Sequence, residues 1–217
     1  MSFVISSVLP FPNIEWWCRV MAVDAVHFDI AEHFEKMTYR NRYYIAGANG
    51  LLKMSIPIGG GREHKAPMHE TGIDNKSHWR KQHWRTIVSA YNNAPYFEFY
   101  KDSLEKLFTE NFERLLDFNL ATLQWLQQQL GVKFEETLLD TYHPKYPEAK
   151  EDLRKMKPGG ESCHDCDFPI YYQVFEERTG FLPNLSVLDL LFAEGPFTAR
   201  WLRENNEAVM VSSKDKI

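Results

Sequence analysis

Cysteine, basic charge and long apolar runs are all scarce in this sequence. Three cysteines in 217 residues are too few for a disulfide framework, and their odd number fits a reducing compartment. Asp and Glu outnumber Lys and Arg by 30 to 25, and the net charge is −5. A nucleic-acid partner is therefore disfavoured, because it needs a basic surface. No apolar run approaches the roughly 20 residues that span a bilayer, so we expect no membrane span.

The N-terminal stretch also lacks two marks of a secretory signal peptide. It is apolar, but it carries neither a basic region nor a small-residue cleavage site. A buried strand is the simpler interpretation, and a cytoplasmic location is the expectation that follows.

The composition is that of an ordered globular protein. Hydrophobic residues make up 44% and aromatic residues 14% of the chain, enough to build a core without covalent staples. Strand patterns come first and helix patterns second, which favours the α+β class: a single domain with a small mixed β-sheet packed against several helices. We assign residues 1–205 to this domain, with a mobile insertion at about 142–169 and a flexible C-terminal tail at 206–217.

Local patterns predict where the elements lie. The predicted strands are Phe3–Leu9, Ala25–Ile30, Tyr43–Ala46, Leu51–Ile58, His69–Ile73 and Val132–Leu138. The Asn49-Gly50 pair between two of them predicts a hairpin. The predicted helices are Ile14–Val23 capped by Asn13, a helix from Asn75 into an Ala-Pro turn before Phe97, one long helix from about Asp102 to Leu130, Val187–Phe192 capped by Ser186, and Phe197–Asn205.

The helix that follows Asn75 carries the most chemical information. At 100° per residue, Trp79 and Tyr91 lie on its apolar side. Arg80 and His83 fall inside the same apolar arc. A guanidinium on a buried face needs a carboxylate, a carbonyl or a ligand. This pattern predicts that the helix forms one wall of a site.

His83 allows two interpretations. It could be a general acid or base in an apolar cleft, where burial and neighbouring groups adjust its pKa. It could equally be a core histidine whose ring is hydrogen-bonded to a carbonyl.

Four segments resemble signature segments of the WbqC-like family. They are, in chain order, KMTYRNR (Lys36–Arg42), HWRKQHWRTIVSAYNNAPYF (His78–Phe97), FNLATLQWLQQQLGV (Phe118–Val132) and YYQVFEERTGFLPNLSVLDLLFAEGP (Tyr171–Pro196). Members of this family are associated with O-antigen and other surface-polysaccharide gene clusters in bacteria. The resemblance implies a biological setting rather than a reaction.

The first of these segments supplies the expected anion-binding residues. The resemblance matches Lys36, Asn41 and Arg42, but it does not match Arg40. We expect Lys36 and Arg42 to bind a phosphate or a carboxylate, with Asn41 fixing its orientation. The alternative is a solvated strand edge, where cations discourage edge pairing.

Four further polar residues in the matched segments are expected at the site. Asn119 interrupts an apolar helix face, so its amide either orients a ligand or bridges to a loop. Gln173 lies among aromatic residues and could bind a sugar hydroxyl or amide, while Asn184 follows a proline and could shape a turn. Asp189 follows Ser186 by three residues, so it either completes a capping box or pairs with a site arginine.

A single C-x-x-C pair, Cys163 and Cys166, lies outside the matched segments. A structural zinc site needs four ligands. Neither Cys18 nor His143 has the spacing to complete one, so we expect no metal and no cofactor.

Patterns and resemblance together suggest a sugar-modifying transferase of surface-polysaccharide biosynthesis, with acyl or aminoacyl transfer to the amino group of a nucleotide-linked sugar. In this hypothesis Arg42 and Lys36 hold the diphosphate, and His83 accepts the amine proton. The rings expected to stack on the sugar or base are Trp79, Tyr91 and Tyr96. The alternatives are a non-catalytic nucleotide-sugar or glycan-binding protein and a scaffold of a biosynthetic complex. The sequence does not predict the oligomeric state.

Overall fold

The computed structural model describes residues 1–60, 66–158 and 168–214. For residues 213 and 214 it describes the backbone only. Its strands are β1 (Phe3–Ser6), β2 (Ala25–Asp29), β3 (Arg42–Gly47), β4 (Gly50–Ser55), β5 (Glu135–Leu139) and β6 (Glu151–Asp152). Its helices are α1 (Ile14–Val20), α2 (Trp79–Tyr91), α3 (Phe97–Thr109), α4 (Leu115–Leu130), α5 (Glu176–Thr179), α6 (Val187–Glu194), α7 (Thr198–Glu204) and α8 (Asn206–Lys214). Short 3-10 turns lie at Tyr39–Asn41, Met68–Glu70, Leu153–Lys155 and Gly195–Phe197.

Four strands form a parallel sheet in the order β5-β2-β1-β6. Val4 of β1 aligns with Val26 of β2 on one side and with Glu151 of β6 on the other. The central strands β1 and β2 are almost entirely buried, which explains their continuous apolar sequences. After β1 the chain adds β2 and then β5 on one side of β1, and it later adds β6 on the opposite side of β1. The carboxyl ends of β1 and β6 therefore flank a topological switch point, where open parallel sheets commonly bind ligands.

The predicted hairpin is confirmed, and it forms a separate two-stranded antiparallel sheet. β3 pairs with β4 in a register that places Gly47 opposite Gly50. Gly50 has a φ of 103°, a backbone conformation that glycine adopts at little cost. Parallel and antiparallel pairs thus pack against several helices, and the predicted α+β class is confirmed.

The single long helix predicted between about Asp102 and Leu130 is two helices, α3 and α4. The intervening residues 110–114 run alongside the segment Thr71–Ile73: the Ile73 amide donates to the Glu113 carbonyl at 2.9 Å, and the Leu115 amide donates to the Thr71 carbonyl at 2.9 Å. The sequence did not reveal this break because Phe112, which lies between the two helices, is buried and continues the helical spacing of apolar residues. The end of α4 is as predicted, with Gly131 in the left-handed conformation.

The prediction of a strand at His69–Ile73 is also wrong. Met68–Glu70 form a 3-10 turn, and only isolated bridges, Ile58 to Ile73 and Gly72 to Arg114, follow it. These bridges give the backbone its hydrogen bonds without a continuous strand.

Two segments expected to be mobile contain regular structure. Within the predicted insertion, Glu151–Asp152 form the edge strand β6 and Arg154 is buried. Asn206–Lys214 of the predicted tail form α8, which packs on α1 and buries Val209. The patterns missed α8 because its apolar residues are few. The rest of both predictions, residues 159–167 and 215–217, lies outside the described chain.

Large aromatic side chains fill the core between the sheet and the helices. Trp16, Trp17 and Phe28 are fully buried. Phe11 and Phe118 also pack together in the core, with ring centroids 6.1 Å apart. None of the helices in the described ranges is long and apolar enough to cross a membrane.

Candidate functional site

The residues predicted from sequence fall into separate groups rather than one constellation. The first group is in the core beside α2. His83 is 5% exposed, its Nε2 is 3.2 Å from the Ser55 carbonyl, and its Nδ1 is 3.0 Å from the Tyr43 hydroxyl. Because a carbonyl only accepts, Nε2 carries the proton and Nδ1 accepts from the tyrosine. Burial lowers the pKa of His83 to about 4, against the opposing effect of the Ser55 carbonyl. This geometry favours the core interpretation of His83.

The other members of the α2 helix are placed differently from one another. Trp79 is 4% exposed, and its ring meets His83 edge-on at 5.1 Å, so it offers no open face for stacking. Arg80 points away from this group: its Nη1 donates to the Glu110 carbonyl at 2.7 Å and to Asn111 Oδ1 at 2.8 Å. Arg80 therefore holds the end of α3, which satisfies the carbonyl requirement recognised in the sequence.

The second group surrounds Asp189. Its carboxylate accepts from the Tyr91 hydroxyl at 2.6 Å, the Tyr171 hydroxyl at 2.8 Å and Gln173 Nε2 at 3.1 Å. These donors replace both the capping box and the arginine expected as partners of Asp189. Burial raises the pKa of Asp189 to about 6, although the three donors act against the rise. A narrow indentation, too small to hold a water molecule, lies beside the group.

Asn184 and Tyr96 serve the connections between helices. The Asn184 side chain accepts from the Glu15 amide at 3.0 Å and donates to the Glu15 carboxylate at 3.0 Å. Its φ of 55° is one that asparagine tolerates, so the turn expected here is present. The Tyr96 ring packs on Gly195, where a Cβ atom would come within 2.4 Å of it.

The third group lies at the carboxyl ends of the parallel strands. We name it the carboxyl-edge cluster; its members are Asp29, Glu32, Arg40, Asp152 and Arg154. Arg40 donates to both carboxylate oxygens of Glu32, at 3.0 and 2.6 Å. Arg154 donates to Asp29 at 2.6 Å and to Asp152 at 2.9 and 2.5 Å. Arg40 Nη2 also donates to the Arg154 carbonyl at 3.1 Å, which joins the two ion pairs.

Sequence reasoning missed most of the carboxyl-edge cluster. Asp29 ends β2 and Glu32 follows it, while Arg154 comes just after β6. Acidic residues directly behind a buried apolar strand were the available signal for the first two. No local signal identified Arg154, because the two-residue strand before it carries no apolar pattern.

Arg40 and Arg42 have opposite electrostatic environments. Arg40 is 5% exposed and neutralised by Glu32. Arg42 is half-buried, and no carboxylate within 4 Å pairs with it in the described part of the chain. Its Nε is fully covered and has no hydrogen-bond partner there. A half-buried guanidinium without a counterion is a candidate for binding an anion.

Four other residues, in the preceding turn, on the paired strand β4, on α2 and on α4, also have buried polar atoms that lack partners among the described residues. We name this set the Arg42 cluster: Asn41, Arg42, Ser55, Trp79 and Asn119. The atoms without a partner among the described residues are Asn41 Oδ1, Arg42 Nε, Ser55 Oγ, Trp79 Nε1 and Asn119 Oδ1. Native proteins leave few such atoms, and those they leave call for a specific explanation. Four of these five residues were predicted as site residues from the sequence.

Asn119 connects the Arg42 cluster to the carboxyl edge. Its Nδ2 donates to the Val8 carbonyl at 2.8 Å and to the Arg40 carbonyl at 2.9 Å. Val8 lies two residues beyond β1, and Arg40 belongs to the carboxyl-edge cluster. The amide therefore bridges loops, as one interpretation of the sequence expected, while its oxygen remains without a partner.

Backbone strain is found in the same loops. Phe11, after β1, has a φ of 43°, and Met37, after β2, has a φ of 64°. Bulky residues rarely adopt this conformation, which costs of order 1–3 kcal/mol and clusters at functional sites. Lys36 is exposed beside Met37, so the predicted lysine lies in a strained loop at the carboxyl edge.

Across residues 1–60, 66–158 and 168–214, no group of three or more His, Cys, Asp or Glu side chains could hold a metal ion. Cys163 and Cys166 lie outside these ranges. Cys18 is buried, and burial raises the pKa of its thiol to about 12, with Glu15 adding to the rise. This thiol is therefore unreactive at neutral pH.

Comparison with known proteins places the chain in a family. The model of the WbqC-like protein family matches residues 10–156, so the chain belongs to the WbqC-like protein family. It is similar to the uncharacterized protein Rv1507c of Mycobacterium tuberculosis (strain ATCC 25618 / H37Rv), at 26% identity over 201 residues, 79% of this chain and 85% of the relative. No solved structure matches the chain. The family match spans both clusters, whereas the segment Tyr171–Pro196 lies beyond it.

Proposed function

We propose that this protein binds a nucleotide-linked sugar at the Arg42 cluster and modifies it as a transferase in bacterial surface-polysaccharide assembly. The observation that carries the proposal is the half-buried Arg42 guanidinium, which has no carboxylate partner in the described chain. Membership of the WbqC-like family supports the biological setting through the resemblance noted in the sequence.

The electrostatics favour an anionic ligand. A guanidinium binds two oxygens of a phosphate or carboxylate at once, which gives orientation as well as affinity. Glu32 occupies Arg40 fully, so Arg42 is the arginine of this segment that can accept a ligand. Lys36 adds a second positive charge in the same connection, on its exposed side. A diphosphate is the natural match for two neighbouring cations.

The polar atoms around Arg42 suit the remainder of such a ligand. Asn41 and Asn119 offer acceptors, Trp79 offers a donor, and Ser55 offers both. All of these atoms are covered in this conformation, so a ligand reaches them only after a local rearrangement.

The transfer reaction has simple requirements. In an acyl or aminoacyl transfer, the sugar amine forms a bond to the acyl carbon, the donor's leaving group departs with the bonding electrons, and a base accepts the amine proton. His83 is the residue expected in that role. Both of its nitrogens are engaged by Tyr43 and Ser55, and its pKa is about 4, so it is a weak base at neutral pH.

This state of His83 favours a second candidate function: non-catalytic binding of a nucleotide-linked sugar. The ligand site is the same in both cases. The difference is that the binding protein needs no base, and His83 then only connects α2 to the hairpin.

Calorimetric titration with a panel of nucleotide-linked sugars tests the shared site. Saturable binding of at least one member to the wild type is expected, with Arg42→Ala weakening it at least 10-fold because a charge-assisted contact is lost. Arg85→Ala is the matched control, since Arg85 is exposed on α2, and it should leave the affinity unchanged. Equal affinity of Arg42→Ala and the wild type would refute the site.

Mass spectrometry of the bound sugar separates the two functions. The wild type is incubated with a nucleotide-linked amino sugar that binds and with activated acyl and aminoacyl donors. A mass increase of the sugar that depends on the protein supports the transferase. Saturable binding with no modified product from any donor supports the binding protein.

A further inference from the structure

Two tyrosine rings pack on one arginine at the carboxyl edge, and a histidine ring packs on one of these tyrosines. The Arg154 guanidinium carbon lies 5.0 Å from the centre of the Tyr146 ring and 5.5 Å from the centre of the Tyr142 ring. The His143 ring meets Tyr146 edge-on at 5.6 Å. We name Tyr142, His143 and Tyr146 the aromatic mouth. Neither the sequence patterns nor the family resemblance singled out this group as a site.

The arginine beneath the rings is held rigidly. Asp29 and Asp152 neutralise it through the hydrogen bonds described above, and its Nη1 also donates to the His143 carbonyl at 2.9 Å. Its charge is therefore used within the protein, and it is unavailable to a phosphate. What Arg154 can do is fix the two tyrosine rings through cation–π contacts.

The outer surface of the mouth is open. Tyr142 is 49% exposed, and His143 is also exposed. The Tyr142 ring is therefore fixed by Arg154 and exposed on its outer side, where another flat group can stack on it. The aromatic mouth also lies beside β6, at the switch point where parallel sheets bind nucleotides.

The mouth and the Arg42 cluster are neighbours. Arg40 spans the interval: its Nη2 donates to the Arg154 carbonyl at 3.1 Å, and its own carbonyl accepts from Asn119 of the Arg42 cluster at 2.9 Å. Arg40 thus links the two groups through its hydrogen bonds.

We propose that the aromatic mouth is the nucleobase subsite, with the base stacked on the exposed ring of Tyr142. This inference rests on the proposed function, because Arg42 must hold the diphosphate. It adds that the ligand is recognised as a nucleotide rather than as a sugar phosphate. Stacking accepts any base, since every base has a π-face, so selectivity among bases is expected to be low.

Titrations with UDP, TDP, GDP, ADP and inorganic pyrophosphate test the subsite. Tyr142→Ala should weaken the binding of the nucleoside diphosphates by about 5- to 150-fold, the range that one stacked base supplies, and leave the binding of pyrophosphate unchanged. Tyr142→Phe should keep wild-type affinity, because the ring remains. Tyr172→Ala is the matched control: Tyr172 is 52% exposed but lies at the indentation beside Asp189.

The outcomes separate this inference from the proposed function. If Tyr142→Ala weakens the binding of nucleotides and of pyrophosphate equally, or leaves both unchanged, the subsite is overturned. A loss of affinity in Arg42→Ala would then still support the diphosphate site. Binding of pyrophosphate without tighter binding of any nucleotide also overturns the subsite alone. If neither pyrophosphate nor any nucleotide binds the wild type, both proposals fail.

Discussion

Replacing His83 by glutamine should remove a pH-dependent part of the free energy of unfolding. His83 titrates at about 4 in the folded chain and at 6.5 when unfolded. The unfolded state therefore binds a proton more readily, and His83 contributes stability that is present above pH 6.5 and lost as the pH falls towards 4. A difference of 2.5 pKa units corresponds to about 3 kcal/mol.

Glutamine is chosen because it keeps the hydrogen-bonding pattern without titrating. Its amide nitrogen can donate to the Ser55 carbonyl, and its oxygen can accept from the Tyr43 hydroxyl. Loss of the ring contact with Trp79 lowers stability at every pH by the same amount. The pH dependence of the difference between wild type and variant then reports the histidine alone.

The assay is urea unfolding followed by tryptophan fluorescence at pH 7, 6, 5 and 4. The wild type should lose about 3 kcal/mol relative to His83→Gln between pH 7 and pH 4. A difference that stays constant over this range would refute the buried, neutral histidine. An imidazole that titrates between pH 6 and 7 by NMR would do the same, and would restore His83 as an accessible base.

Three further predictions concern the core and its ion pairs. Burial raises the pKa of Asp189 from 3.8 to about 6, so its stabilising contribution is present below pH 3.8 and lost as the pH rises through 6. Relative to Asp189→Asn, the wild type should be about 2 kcal/mol more stable at pH 4 than at pH 8 by urea unfolding, and no change with pH would contradict this. Glu32→Gln removes the carboxylate that Arg40 contacts at 3.0 and 2.6 Å and leaves only the half-exposed Glu35 at 3.7 Å, so it should lower the free energy of unfolding by about 3–5 kcal/mol. The control Glu177→Gln, at an exposed side chain on α5, should change it by less than about 0.5 kcal/mol. Equal effects of the two would refute the assignment of the buried pair. Gly195→Ala places a Cβ atom 2.4 Å from the aromatic ring beside it at a φ of 56°, so thermal unfolding should show a loss of about 1–3 kcal/mol, and an unchanged melting temperature would contradict the close approach.

The hydrogen-bonding environment explains why His83 could not be assigned from sequence. The helical period correctly placed it on the apolar side of α2. Its partners, the Tyr43 hydroxyl and the Ser55 carbonyl, lie 40 and 28 residues away on the hairpin. No local pattern reports which side chain meets a given ring across such a separation, so the catalytic and core interpretations were equivalent in the sequence.

The choice between Arg40 and Arg42 shows the opposite case. The family resemblance alone selected Arg42, and the structure pairs Arg40 with Glu32 and leaves Arg42 without a carboxylate among the described residues. The physical difference is the position of one acidic side chain behind β2. Alternation along the predicted strand placed both arginines on the same face, because it did not foresee the 3-10 turn at Tyr39–Asn41.

The sequence by itself determined the class of fold, the hairpin, and the caps at Asn13 and Ser186. Each of these depends on residues close together in the chain, through periodicity, turn conformation or motif. Only the tertiary structure decided that Asp29, Glu32 and Arg154 meet at the carboxyl edge and that the aromatic mouth lies over them. These contacts join segments up to 125 residues apart, and they arise because parallel strands bring their carboxyl ends to one side of the sheet, whatever their separation in the chain.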